Sequence, residues 1–97
     1  MPSRTDPAQE VRLDKMGTHF ASNPYLTFQD MTPVGRLTHL VEVIAVRDGT
    51  LLGTIRWYGP WRQYVFAPEP FCVFNTGCLK TIEQNVRVMN DIRKGRL

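Results

Sequence analysis

The stretch HLVEVIAVRDGTLLGTIRWYGPWRQYVF, His39 to Phe66, decides the fold. It opens on a run rich in Val and Ile, His39 to Arg47, as strands are. Asp48-Gly49 follows, the favoured pair for a type I′ hairpin turn. Thr50 to Tyr58 reads as a second strand, broken at Gly59-Pro60. Trp61 to Ala67 reads as a third, ended by Pro68 and Pro70. A tight turn at Asp48-Gly49 sets Leu40 opposite Trp57, Glu42 opposite Ile55, Ile44 opposite Gly53 and Val46 opposite Leu51. An equally tight second turn adds Arg62, Tyr64 and Phe66 to that face, with Phe66 over Gly53, a sensible use of a strand glycine. This mostly apolar face is the expected core. Glu42 is its odd member, and reads as a partner for Arg62 or as the mark of a register error. Val41, Val43, Arg56, Tyr58 and Gln63 fall on the other face, joined by Trp61.

Beyond the hairpins, Asn75 is a good helix N-cap, with Phe74 placed to staple onto Leu79. A helix from Thr76 to about Lys94 ends at Gly95. At 100° per residue, Cys78, Leu79, Ile82, Val86, Met89 and Ile92 share an arc of about 140°, the width of a core-facing stripe. Glu83, Arg87 and Asp91 form a charge ladder on the opposite side. A one-sided sheet and an amphipathic helix each need cover, and the economical solution is that they cover each other. The expected fold is α+β: a three-stranded antiparallel sheet packed against a C-terminal α-helix, with an N-terminal helical or irregular extension.

That extension spans residues 1–35, ahead of a sheet-plus-helix domain over 36–97. Asp6-Pro7 reads as a helix start and Gly17 as its stop. Residues 18 to 35 mix turn signals (Asn23-Pro24, Thr32-Pro33, Gly35) with Phe20, Tyr25, Leu26, Phe28 and Met31. The segment is too apolar for a free linker and is expected to wrap over the main fold or a partner.

The chain has 97 residues and a net charge of +3, enough for one small domain and only a modest bias toward anions. The charge is uneven. Residues 1 to 35 hold Arg4, Arg12 and Lys15 against Asp6, Glu10, Asp14 and Asp30, so the positive excess belongs to the rest. Nine of the twelve basic residues are Arg, the cation suited to bidentate phosphate or carboxylate contacts. No run approaches the roughly 20 apolar residues of a membrane span. The start of the chain lacks the apolar core of a secretory signal. Two cysteines, Cys72 and Cys78, are too few for a disulfide framework, and a cytoplasmic chain with reduced thiols is expected.

From Ile55 to Phe66, IRWYGPWRQYVF, followed by a proline-bearing stretch and FNTGCLKTI, the chain resembles a group of small uncharacterised phage, prophage and bacterial proteins. In these, a Trp-Tyr-x-Pro-Trp-Arg-x-Tyr-x-Phe segment precedes a C-terminal helix. The resemblance runs from Gly53 to about Ile82 and implies a phage or mobile-element setting without an activity. The order of three strands and a helix is also similar to integrase arm-binding and plant ethylene-response domains, which read DNA with the open sheet face. That likeness is architectural, and fold does not fix function.

The strongest chemical grouping is Arg47, Arg56, Tyr58, Trp61 and Gln63: guanidinium groups for phosphates or guanine edges, aromatic rings for stacking on bases. Arg87 and Lys94 extend it along the basic helix. The plainer reading buries the aromatic rings under the N-terminal segment with Arg stacked on Trp. Phe20, Tyr25 and Phe28 form a second grouping suited to a protein partner or a second copy. Cys78 near a helix start has no evident base, so a small core cysteine is the simpler reading. His19, His39, Cys72 and Cys78 match no zinc spacing, and neither a phosphate loop nor a nucleophile elbow occurs. The expectation is a non-enzymatic binding protein without metal or cofactor, contacting nucleic acid through the open sheet face and basic helix. A protein-binding or self-assembling module is the alternative.

Overall fold

The structure, a computed structural model, describes residues 19–96. The helix expected from Asp6 to Gly17 lies outside the described residues. Four strands form one antiparallel meander: β1 Leu26–Asp30, β2 Leu40–Ala45, β3 Leu51–Tyr58 and β4 Gln63–Pro68, in the order β1-β2-β3-β4. One helix follows, α1, Thr76–Arg93. The sheet therefore has four strands, not the three expected. The additional one comes from the segment expected to wrap over the fold. Its five residues alternate inward Leu26, Phe28 and Asp30 with outward Thr27 and Gln29, and they pair along β2 from Leu26↔Ala45 to Asp30↔Val41.

The β2–β3 register also departs from expectation, by one residue. Leu40 pairs with Arg56, Val41 with Ile55 and Val43 with Gly53, and a bulge after Val43 sets Ile44 opposite Leu51. The turn is the cause. Residues 46–49 form a four-residue loop in which Ala45 N–H donates to Thr50 O at 2.9 Å and Gly49 N–H to Ala45 O at 2.8 Å. Only Gly49 takes a positive φ (76°), whereas a type I′ turn needs Asp48 to do so as well. Asp48 instead accepts the Thr50 N–H at 3.0 Å, and its hydrogen bonds with Thr50 hold its carboxyl below the usual pKa. A one-residue slip reverses the faces of a strand. Val41 and Val43 are thereby fully buried, and Glu42 is turned to the opposite face, across from Thr54 and Gln29. The expected register would have put a carboxylate in the core.

The β3–β4 pairing slips by two residues, so the faces are kept. Tyr58 pairs with Gln63, Trp57 with Tyr64 and Ile55 with Phe66. Residues 59–62 are a longer connection than a tight turn: Gly59–Trp61 form a 3-10 turn, and Arg62 closes it in the left-handed region (φ 52°). Phe66 still reaches Gly53, diagonally. A Cβ built on Gly53 would lie 2.6 Å from Ala67 O and 2.6 Å from Phe66 Cζ.

The core lies between the sheet and α1. Leu26, Val41, Val43, Ile55 and Tyr64 meet Ile82 and Met89, with Phe20, Phe28, Trp57, Phe66 and Phe74 packed around them. Asn75 caps the helix by accepting Cys78 N–H at 2.8 Å, and Gly95 ends it with φ 77°. Its buried stripe is rotated from the expected one. Thr81 and Asn85 lie inside, while Leu79 is half exposed and Phe74 rests on Phe66 instead. Two asparagines explain the rotation. Asn85, wholly buried, accepts Ala21 N–H at 2.7 Å and donates to Ala21 O at 3.0 Å. Asn90 does the same for Tyr64, at 2.7 and 3.2 Å. Each amide stands in for a neighbouring strand. Asn90 serves the outward-turned edge of β4, whose Pro68 has no N–H to leave unpaired.

At the far end of β1, Asp30 and Thr32 are buried together. The Asp30 carboxylate accepts the Thr32 N–H (2.9 Å) and hydroxyl, and Thr32 Oγ1 accepts Leu40 N–H at 2.9 Å. Tyr64 OH accepts His39 N–H at 3.0 Å. These contacts tie the β1–β2 connection to the sheet.

Gly53→Ala is expected to cost about 1–3 kcal/mol, because the new methyl meets backbone and an enclosed ring. Urea denaturation should show a lower midpoint at unchanged slope. Asn85→Leu should destabilise by about 1–3 kcal/mol for each backbone group of Ala21 left unpaired. Hydrogen exchange at the Ala21 amide should accelerate, and unchanged exchange would contradict the clamp.

Candidate functional site

The helix covers one sheet face and leaves the other without a covering layer among the described residues. By strand alternation the uncovered face carries Thr27 and Gln29 from β1, Leu40 and Glu42 from β2, Thr54, Arg56 and Tyr58 from β3, and Gln63 and Val65 from β4. Its aromatic groups, with Arg56 and Gln63, gather at the end where β3 turns into β4. Pro60 opens the 3-10 turn there, and Arg62 N–H donates to Gly59 O at 3.0 Å, which returns the chain so that Gln63 faces Tyr58. The turn holds Trp61 against Tyr58, ring centroids 5.1 Å apart and nearly perpendicular. Trp61 is 65% exposed, and Arg56 is exposed two residues from Tyr58 on the same face of the strand.

Four of the expected residues, Arg56, Tyr58, Trp61 and Gln63, are thus brought together. The other three are not. Arg47 sits in the loop at the opposite end of β3, a strand spanning about 26 Å at 3.3 Å per residue. Arg87 lies on α1 and is paired with Glu83. Lys94 caps the C-terminus of α1. Both belong to the covered side of the sheet, where they border an open cleft of about 550 Å³ between β4 and α1 whose rim also includes Gln63. Of the expected charge ladder, the Glu83–Arg87 pair forms, while Asp91 lies 3.9 Å from Arg96. Arg93 stacks over Trp57, 4.7 Å from the ring centroid, an Arg–Trp contact on the core-side tryptophan and not in the Trp61 group where one was expected.

The second grouping is divided. Phe20 and Phe28 pack edge to face at 5.8 Å, at the margin of the core, whereas Tyr25 is largely exposed. Cys72 and Cys78 are not bonded to each other. Among the described residues, no group of three His, Cys, Asp or Glu side chains is placed to hold a metal, and no helix is long and apolar enough to cross a membrane.

Sequence reasoning missed two features. The Asp30–Thr32 knot follows an Asp-x-Thr pattern, in which an Asp side chain commonly takes the N–H two residues on. Phe71, fully exposed and left-handed (φ 66°), carries no signal in residue type, because phenylalanine rarely adopts that conformation.

Among the described residues the arrangement is a small α+β fold: one four-stranded antiparallel meander with the helix α1 on one face and the other face uncovered. No protein-family model matches the chain, and no solved structure does. An uncharacterised 9.3 kDa protein of Acholeplasma phage L2 is 36% identical over 74 residues, covering 75% of this chain and 94% of that protein. The chain belongs to the family of that phage protein. The relative supports the small phage-type grouping expected from the sequence.

The two tryptophans should separate cleanly in solution. In Trp57→Phe, the remaining Trp61 is expected to emit at longer wavelength and be quenched readily by iodide. In Trp61→Phe, Trp57, packed on Tyr64 and beneath Arg93, should be shielded. Equal quenching in both variants would contradict this placement.

Proposed function

We propose that the protein is a non-enzymatic binding protein that holds single-stranded nucleic acid on the uncovered sheet face. The observation that supports this most is the Tyr58–Trp61 ring pair beside an exposed guanidinium on a face with no covering layer among the described residues. Unpaired bases present flat π surfaces, and stacking on an exposed aromatic contributes about 1–3 kcal/mol per base. Trp61 supplies the stacking surface, supported edge-on by Tyr58. Arg56 provides a cation for the backbone phosphate or a base edge, and the Gln63 amide offers a donor and an acceptor to a base. A strand on these residues runs across the end of the sheet, away from Glu42, whose negative charge disfavours phosphate. The helix cations lie on the other side, so they add to the long-range field and not to the contact.

The test is fluorescence anisotropy with labelled single-stranded DNA and RNA and a duplex control, across a salt series. Binding should favour single strands and weaken with salt, with a slope near −0.7 per phosphate contacted. Trp61→Ala should weaken binding by roughly 5- to 150-fold, the equivalent of one stacked base, with the fold unchanged by circular dichroism. Absence of binding at low salt, or equal binding by Trp61→Ala, would overturn the reading. Salt-insensitive capture of a protein partner through the same residues would replace it.

A further inference from the structure

A second surface is built on other residues, sharing only Gln63 at its rim. After β4 the chain turns through Glu69, Pro70, Phe71 and Cys72, with Glu69 N–H still donating to Leu52 O at 2.9 Å. Phe71 follows proline with φ 66°, an arrangement that favours glycine or asparagine. A bulky aromatic side chain there is an outlier that persists only when something holds it. Nothing among the described residues shelters the side chain: Phe71 is 103% exposed and the nearby Val73 is 90% exposed. The strain and the exposure together point to a contact beyond the described residues.

The cleft between β4 and α1 offers the complementary shape. Its floor is apolar, formed by Phe66, Leu79, Ile82 and Val86, and Leu79 is half exposed into it. At about 550 Å³ it falls in the size range that receives compact apolar groups. Charge is matched as well. On the rim, Arg87 faces Glu83 and Arg96 lies near Asp91, whereas Lys94 has no ion pair among the described residues. Glu69, beside Phe71, is an exposed carboxylate that also has none among the described residues. The loop cannot fill its own cleft up to Lys94, because it leads into the first turn of α1 and Lys94 lies one helix length away. Eighteen residues at 1.5 Å each make about 27 Å.

We propose that copies of this chain associate head to tail, with the Glu69–Val73 loop of one seated in the β4–α1 cleft of the next, Phe71 on the apolar floor and Glu69 against Lys94. Loop and cleft are different surfaces, so the contact is heterologous and propagates into a closed ring or an open row. It shares only Gln63, at the rim, with the nucleic-acid site and uses none of Arg56, Tyr58 or Trp61, so the Phe71 and Trp61 variants test the two readings separately.

Light scattering and sedimentation velocity from micromolar to millimolar concentration test this. The wild-type chain should associate as concentration rises. Phe71→Gly should unfold at the same or a higher temperature, since glycine accepts the turn, yet associate about tenfold or more weakly. Leu79→Glu, a change at a half-exposed position outside the core, should also prevent assembly. Mixing the two variants should yield a one-to-one pair, because each retains the half that the other lacks. A wild-type chain that stays monomeric throughout, association unaffected by Phe71→Gly, or a mixture that does not pair would overturn the proposal. Phe71-dependent binding to lipid vesicles in place of self-association would do so as well.

Discussion

Two asparagine side chains seat the helix, and most of the molecule follows from them. The amide of Asn85 satisfies both backbone groups of Ala21, and the amide of Asn90 satisfies both of Tyr64. A side-chain amide carries a donor and an acceptor at the spacing that a backbone N–H and C=O require, so each behaves as a one-residue strand. Five positions apart on a helix, they point to different sides. One grips the lead into β1, the other the free edge of β4. The rotation of α1 is thereby set: Thr81 and Asn85 turn inward and Leu79 turns out. Directional bonds outrank the preference for an all-apolar stripe here because a buried, unpaired backbone group costs more than a half-exposed leucine.

That seating divides the rest of the surface. Helix α1, clamped near β4, covers the face holding Val41, Val43 and Ile55 and leaves the reverse face without cover among the described residues. It also stands away from β4 along its outer side, which opens the cleft over Phe66 and Val86. The aromatic end of the bare face and the cleft are consequences of one packing decision, although they lie on different sides of the sheet.

The legible parts of the fold were those with a strong period or a strong cap. The faces of β3 and β4 follow from alternation and survive a two-residue slip unchanged. The helix limits follow from Asn75 and Gly95. The strand β1 was hidden because LTFQD is five residues long and lies between Asn23-Pro24 and Thr32-Pro33, whose turn signals dominate. The register of β2 was misread because Asp48-Gly49 suits more than one loop length, and Glu42 was the residue that marked the error. Of the candidate site, Arg56, Tyr58, Trp61 and Gln63 were placed together by local pairing alone. Arg47, Arg87 and Lys94 were grouped with them by charge, which carries no information about distance. The inward turn of Asn85 was invisible, since its partner is sixty-four residues away in the chain.

The order of the sheet is the order of the chain, so each strand finds its partner in the one just before it. The helix differs. It follows all four strands, and its Asn85 reaches back to Ala21, ahead of the first. During synthesis the meander can pair as it emerges, but its apolar face stays bare until Asn85 and Met89 have been added. A chain cut short before that point presents Val41, Val43 and Ile55 to solvent on a ready-made sheet, the form of partial structure most prone to aggregate. The clamp between the two ends of the domain therefore acts as a completion check: the core closes only on a chain that has been made through its helix.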